Sequence, residues 1–283
     1  MRVVSLHLYP IKSVRGHSVS EVAITPRGFK GDRRWLVTTP TGQFYTQREL
    51  PRLACISADY TVDGLVLKAP GMPDLAVAAP TSAGPLLPVT VWESLVPVPM
   101  ADAAAEAWLS QFLQTPVRLV YLPDDITRPC TSSLAGAGDE VSFADTFAFL
   151  LTSMASLADL NTRTQELVPM DRFRPNIVID GEVPWAEDGW QKLRIGEAEI
   201  ELLKPCARCK ITTTDQLTGE QGREPLSALR RFRFNPVKKG LMFGMNGSPR
   251  SGGVIRVGDA VEVISTQEPP SFAVARAPRE TAH

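Results

Sequence analysis

Two cysteines three residues apart, Cys206 and Cys209, stand in the stretch Lys204-Pro-Cys-Ala-Arg-Cys-Lys-Ile-Thr-Thr-Thr-Asp215, with Lys204, Arg208 and Lys210 around them. Positive neighbours favour a thiolate over a thiol, and the thiolate is the form that binds metals or attacks electrophiles. Three chemistries share that signature. A structural zinc site would take C-x-x-C as two of four ligands. The other two are hard to find, because Cys55 and Cys130 are isolated and the histidines are His7, His17 and His283. A thioredoxin-like redox pair wants its thiols at a helix N-terminus. Here Ile211-Thr-Thr-Thr214 follows, a β-branched run that reads as a strand and disfavours a helix. The third reading gives one thiolate to a soft transition metal and leaves its companion structural, with a ligand-bearing cofactor bringing the remaining donors. An anionic cofactor would explain Lys12, Arg33, Arg174 and Arg208, although each alone also reads as a solvated surface charge. Lys30 and Arg34 are read as surface charges.

Bulk properties narrow the setting. A chain of 283 residues, 43% hydrophobic with a mean hydropathy of -0.05, reads as a globular protein large enough for two modest domains. Thirty basic against 31 acidic residues leave a net charge of -1, so neither nucleic acid nor an anionic membrane is expected as the main partner. No run approaches the roughly 18 to 20 apolar residues of a membrane span, and Met1 to Pro10 carries no signal-peptide pattern. A cytoplasmic protein with reduced thiols is expected, since four cysteines in so long a chain make no disulfide framework.

The elements that must hold these side chains change character along the chain. Up to about residue 100, short β-like runs alternate with turns: Val3 to Leu8, Val19 to Ile24, Trp35 to Thr39, Phe44 to Thr46, Ala54 to Tyr60, Leu65 to Leu67 and Val89 to Pro97. From Asp102, a candidate N-cap, Ala105, Trp108, Leu109, Phe112 and Leu113 form one helical face. Phe147 to Leu151 reads as a buried strand, and Thr152-Ser153 caps a short helix with Leu157 and Leu160 inward. Strands follow at Ile177 to Ile179, Leu193 to Ile195 and Glu199 to Leu203. Glu224-Pro225 starts a helix, and Ile255 to Ile264 reads as a final hairpin. The spacing therefore divides the chain into domains at 1–120 and 121–267, with a flexible Pro- and Ala-rich tail over 268–283.

The cysteine stretch does not stand alone. Together with Phe173-Arg-Pro-Asn-Ile-Val178, Thr152-Ser-Met-Ala-Ser-Leu-Ala-Asp-Leu-Asn161, Tyr9-Pro-Ile-Lys-Ser13, Asp32-Arg-Arg-Trp35 and Val254-Ile-Arg-Val-Gly-Asp259, it resembles MOSC-domain proteins. The similar branch is the one holding the mitochondrial amidoxime-reducing component and bacterial hydroxylaminopurine-reducing relatives. Each motif is weak, but their order through residues 1 to about 265 is specific. The resemblance implies an α+β, mainly β fold: two β-barrel-like domains, a MOSC N-terminal β-barrel and a MOSC domain, with a few short helices. It also implies a molybdenum cofactor whose dithiolene gives two sulfurs to the metal. Cys209 would be the protein's metal ligand, with Cys206 packing or orienting the loop. Cofactor contacts carry over to Lys12, Ser13, Arg33, Asp145, Thr146, Arg174 and Asn176, with backbone from Ala207 and Arg208; Asn246 would face metal and substrate.

The activity implied is removal of oxygen from a small N-oxygenated substrate: a hydroxylaminopurine, an amidoxime or an N-oxide. Bacterial relatives with a ferredoxin-like C-terminal domain carry a C-x4-C-x2-C signature, whereas here no cysteine follows Cys209. An iron-sulfur cluster is therefore not expected in this chain, and electrons would come from a separate ferredoxin or flavoprotein reductase. Two other classes remain open. One is a carrier of molybdenum cofactor or sulfur, as in the MOSC domain of cofactor sulfurases. The other is a metal-free β module whose cations dock a phosphate-bearing partner.

Overall fold

The computed structural model describes residues 1–273; the expected flexible tail falls largely on residues 274–283, outside the described part. Among the described residues the fold is mainly β with three α-helices. Its strands form one nine-stranded sheet and four smaller sheets. None closes into a barrel, which corrects the expectation of two barrel-like domains while keeping the mainly-β class. The strands pair in open, separate ladders instead of returning to their first member.

The large sheet runs Val261–Thr266, Trp190–Ile195, Ala198–Arg208, Gly240–Pro249, Phe149–Ser153, Ile177–Ile179, Val3–Leu8 and His17–Val19, with Phe234–Asn235 paired to Gly240–Pro249. Phe149–Ser153 and Ile177–Ile179 are parallel, joined by the crossover that contains the second helix. Both strands are buried along their whole length. That is why Ile177–Ile179 and the Phe149-Leu-Leu151 part of its neighbour read as unbroken apolar runs. Val3–Leu8 pairs antiparallel with Ile177–Ile179, and Glu21–Thr25 pairs with Gly253–Arg256. The first 25 residues are thus sewn into sheets of the second half. The two largest of four cores are Leu6, Phe149, Ile177 and Leu202 with their neighbours at the large sheet, and Trp35, Leu53, Trp108 and Phe112 with theirs in the first half.

Helices follow the sequence signals closely. The first, α1 (Ala103–Leu113), is capped by the Asp102 carboxylate accepting from Ala105 N at 2.9 Å. It buries the five apolar side chains of its expected face, Leu109, Phe112 and Leu113 each contributing about 2 kcal/mol and Ala105 less than half of that. In α2 (Met154–Asn161), Ser153 Oγ accepts from Ser156 N, and Leu157 and Leu160 are buried. α3 (Leu226–Arg230) begins one residue later than expected, leaving Pro225 as the residue before its first turn.

Three local expectations change. Ile211-Thr-Thr-Thr214 is not a strand: Lys210–Thr213 is a 3₁₀ turn in which the Thr212 and Thr213 hydroxyls donate back to Cys209 O and Lys210 O, both at 2.9 Å. Local hydroxyl-to-carbonyl bonds overcome β-branching there. The final hairpin is not a hairpin: Gly253–Arg256 joins Glu21–Thr25, while Val261–Thr266 joins Trp190–Ile195. Val89 to Pro97 splits into its own hairpin, Leu86–Val91 and Ser94–Pro99, turning at Trp92 and Glu93. Before residue 274, Ala273 N donates to Phe234 O at 2.8 Å and the Phe272 ring lies 3.7 Å from the Arg233 guanidinium.

Candidate active site

The strand that carries the cysteines is irregular for a reason. Ala198–Arg208 runs regularly beside Trp190–Ile195 as far as Glu201 and then extends beyond it, so residues 202–208 are paired only with Gly240–Pro249. That second ladder shifts register between Leu202 and Lys204 and again between Pro205 and Ala207, around Cys206. Opposite the second shift, Gly244 has φ 73, and a Cβ there would sit 2.7 Å from Leu151 O. Only glycine fits. Such irregularities bend a strand and redirect its side chains. The result is a cavity of about 950 Å³ that Cys206, Ala207, Arg208 and Cys209 line from one side and Asn246 from the adjacent strand. Lys12, Ser13, Arg33, Asp145, Thr146, Arg174 and Asn176 line the same cavity. All eleven residues named from the sequence are therefore brought to one place.

One end of the cavity is densely braced. Lys12 Nζ donates to Phe143 O at 2.8 Å and forms an ion pair with Asp145. Burial lowers the Lys12 pKa, while the Asp145 charge acts to raise it. Burial alone would raise the Asp145 carboxyl, but Lys12 and the Trp92 indole N–H hold it well below the usual carboxylate range. Buried Arg128 pins the same loop, donating to Ser142 O and Ala144 O, both at 2.8 Å. Arg33 pairs with buried Asp32 and donates to Asn176 Oδ1 at 3.2 Å. Asn176 also accepts from Leu150 N at 3.3 Å and donates to His7 O at 3.4 Å. Its carboxamide thus serves as a brace, and little of it is left to read a ligand.

Arg33 and Arg174 stack against the buried Tyr9 ring, their guanidinium carbons 4.6 and 4.4 Å from its centre. The ring's negative face offsets part of the repulsion between two like charges. Arg174 differs from Arg33 in having no carboxylate within salt-bridge distance among the described residues. Its Nη1 donates to neutral Gln216 Oε1 at 3.2 Å, and its Nη2 is buried without a partner. Burial pushes the Arg174 pKa down to about 10. Ser13, Arg33 and Arg174 all have positive φ, 64, 50 and 56. Left-handed non-glycine residues gathered at one cavity mark a backbone held for function. Gln47 and Gln216, both buried, exchange amide hydrogen bonds at 3.0 and 3.1 Å, and Gln47 also donates to Ser13 O at 2.8 Å. This pair ties the Ser13 turn to Arg174.

The other end is open. Cys209 is exposed, and Arg48 Nη1 lies 3.6 Å from its sulfur. Cys206 is half-buried, with Arg208 Nη1 at 2.8 Å from its sulfur; Arg208 Nη2 donates to Phe173 O at 2.6 Å and its Nε has no partner. Trp92, 47% exposed, overhangs this end. Arg34, expected as a surface charge, instead donates to Leu122 O at 2.7 Å and pairs with Asp124. Gln47, Arg48, Trp92, Arg128 and Gln216 carry no signal in the sequence, because a lone Gln, Arg or Trp acquires meaning only from its neighbours.

Against this geometry, a family model for the MOSC N-terminal beta barrel domain matches residues 1–116 and one for the MOSC domain matches residues 138–262. Mitochondrial amidoxime-reducing component 1 of Mus musculus is 37% identical over 279 residues, spanning 93% of this chain and 82% of the mouse protein. The chain belongs to the MOSC family. The component 1 of Homo sapiens is 36% identical, with 93% and 82% covered, and component 2 of Bos taurus is 34% identical, with 92% and 82% covered.

The chemistry of this MOSC site suits a cofactor that brings its own metal ligands. No cluster of three or more His, Cys, Asp or Glu able to hold a metal exists among the described residues, which removes the donor set that zinc would need. An exposed thiol, an uncompensated guanidinium and unpartnered nitrogens of Arg174 and Arg208 are what an anionic, metal-bearing ligand would complete.

Proposed function

We propose that this MOSC protein is a molybdenum-cofactor-dependent reductase that removes oxygen from small N-hydroxylated compounds, with Cys209 as the protein's ligand to the metal. The observation that carries the reading is the single cavity onto which both the exposed Cys209 thiol and the uncompensated Arg174 guanidinium open. The names of the relatives support the substrate class. When bound, the cofactor supplies the dithiolene sulfurs and the two-electron oxygen-removing chemistry that the protein lacks.

The chain's own part is to hold and orient. Arg174 and Arg33 would hold the cofactor's phosphate by charge-assisted hydrogen bonds, and Arg208 would contribute its free edge. Gln216 and Gln47 fix the direction of Arg174, and Asn176 fixes that of Arg33. Asp145, kept anionic by Lys12, would accept from N–H groups of a bound pterin. Asn246 offers a neutral carboxamide to the same cavity as the thiol, and Cys206 with Arg208 stiffens the loop before Cys209. Electrons come from a separate ferredoxin or flavoprotein. We place the protein in the cytoplasm, where its four free cysteines stay reduced.

Molybdenum-loaded protein supplied with a chemical reductant should convert 6-hydroxylaminopurine or benzamidoxime to the amine or amidine. No turnover by protein of measured molybdenum content overturns the reductase reading. The exposed thiol of Cys209 is also accessible enough to hand sulfur or cofactor onward. In that case the loaded protein would restore a cofactor-free acceptor enzyme while leaving both N-hydroxylated compounds unreduced.

A further inference from the structure

Trp92 sits where the backbone disfavours it. Val91 pairs with Ser94, so the hairpin Leu86–Val91 and Ser94–Pro99 turns in two residues, and Trp92 is the first of them with φ 55. A positive φ at that position ordinarily belongs to Gly, Asn or Asp. A bulky residue held there carries strain that its surroundings must maintain, and strain of this kind clusters at ligand sites. Its surroundings do maintain it. The indole Nε1 donates to Asp145 Oδ1 at 3.1 Å, the ring meets Phe44 edge-on at 5.3 Å, and the Arg48 guanidinium carbon lies 5.2 Å from the ring centre.

Burial does not explain the arrangement. Trp35, Trp108 and Trp190 are buried and Trp185 is half-buried, yet Trp92 keeps 47% of its surface in the open, on the cavity. Arg48 touches both this ring and the Cys209 sulfur, so one guanidinium is the spacer between an aromatic face and the thiol. A rigid ring fixed by a hydrogen bond at its edge, beside the reacting end of a cavity, suits a flat partner. Stacking on such a face is indifferent to the partner's hydrogen-bonding pattern, because every aromatic base presents a π-surface.

We propose that Trp92 is the specificity platform of the site: the planar aryl or purine part of an N-hydroxylated substrate stacks on its open face, while Arg48 fixes the distance from that face to Cys209. The proposal rests on the reductase reading for its substrate class. It adds that this site favours aromatic over aliphatic N-hydroxylated compounds.

The test uses the loaded protein with Trp92→Gly, which suits the left-handed turn, and Trp92→Phe, which keeps a ring. For Trp92→Gly, the ratio of kcat/KM for benzamidoxime to that for acetamidoxime should fall about tenfold, through KM for the aromatic compound. Trp92→Phe should hold the ratio within about threefold of the original protein. A fluorescence titration with 6-hydroxylaminopurine needs no electron donor and separates the two readings. Saturable quenching that disappears in both variants, because both lack the reporting indole, supports the platform even if turnover fails. Equal loss for aromatic and aliphatic substrates overturns the proposal, as does an unchanged ratio in Trp92→Gly. Loss of molybdenum from Trp92→Gly with an unchanged ratio per loaded molecule also overturns it, by assigning the ring to the cofactor. If Trp92→Gly does not fold, Trp92→Phe still decides: a ratio shifted by tenfold despite the retained ring overturns the platform, and a preserved ratio with quenching abolished supports it.

Discussion

The cavity's two ends are built on different principles. At the braced end, Lys12, Arg33, Arg174 and Asn176 are each locked by partners from distant parts of the chain, and the Gln47–Gln216 pair locks the loops behind them. At the open end, half-buried Arg48 stands between Cys209 and Trp92, both exposed, and only the Trp92 indole N–H reaches back to the braced end, at Asp145. A group that stays bound rewards preorganisation, since side chains fixed beforehand lose little freedom on binding. A substrate that must enter and leave is served by exposed, sparsely bonded groups. On the proposed function, the braced end would suit a resident cofactor and the open end a substrate that turns over.

The largest effect expected separates the two thiols within the open end. Cys209→Ser should reduce turnover of benzamidoxime at least about a hundredfold, while Cys206→Ser keeps most of it. Equal losses, measured per mole of protein, would erase the distinction between the two sulfurs. At the braced end, Arg174→Ala should weaken cofactor retention about 10- to 100-fold by removing a buried charge-assisted contact, seen as molybdenum lost on dialysis. Retention equal to that of the unchanged protein would show that the braced end holds something else.

Smaller effects probe the bracing itself. Gln216→Leu strands the Gln47 amide in a buried site and should cost about 2 kcal/mol in urea unfolding. Adding Gln47→Leu should recover part of this, because the stranded Gln47 amide is removed, but not all of it, since Arg174 Nη1 and Ser13 O still lose their partners. Asp145→Asn should cost about 1 kcal/mol at neutral pH, less than a fully buried pair would, because the carboxylate faces the open cavity. Its folded-state pKa is depressed, so its contribution is present above about pH 4 and fades as pH falls through the folded value. Unfolding midpoints of the two proteins should therefore converge in acid; parallel curves would remove Asp145 from the balance.

Much of this was legible before any coordinates. The α1 face and its Asp102 cap, and the buried strand at Ile177–Ile179, follow from periodicity and capping chemistry that act over a few residues. The cavity residues were legible only as a set of ordered motifs, since nothing in Lys12 or Arg174 alone distinguishes it from a surface charge. What stayed hidden is long-range. Whether Val261–Thr266 returns to its neighbour or crosses to Trp190–Ile195 depends on sheet edges formed elsewhere. The 3₁₀ turn after Cys209 depends on two hydroxyls satisfying carbonyls, a choice that β-propensity does not record. Trp92 is an unremarkable hairpin residue until its φ and its distance to Arg48 are known.

The pairing of Val3–Leu8 with Ile177–Ile179 and of Glu21–Thr25 with Gly253–Arg256 also sets an order of events. During synthesis Val3–Leu8 can pair at once with His17–Val19, and Glu21–Thr25 with Gly28–Phe29, but their second neighbours, Ile177–Ile179 and Gly253–Arg256, emerge much later. The nascent chain therefore cannot finish one half and store it; the pairings are among the longest loops the chain has to close, and slow closure is their consequence. A chain stopped before Gly253 would hold every residue that lines the cavity and still lack the strand that pairs with Glu21–Thr25, so the ladder that anchors the chain's beginning closes only near the end of synthesis.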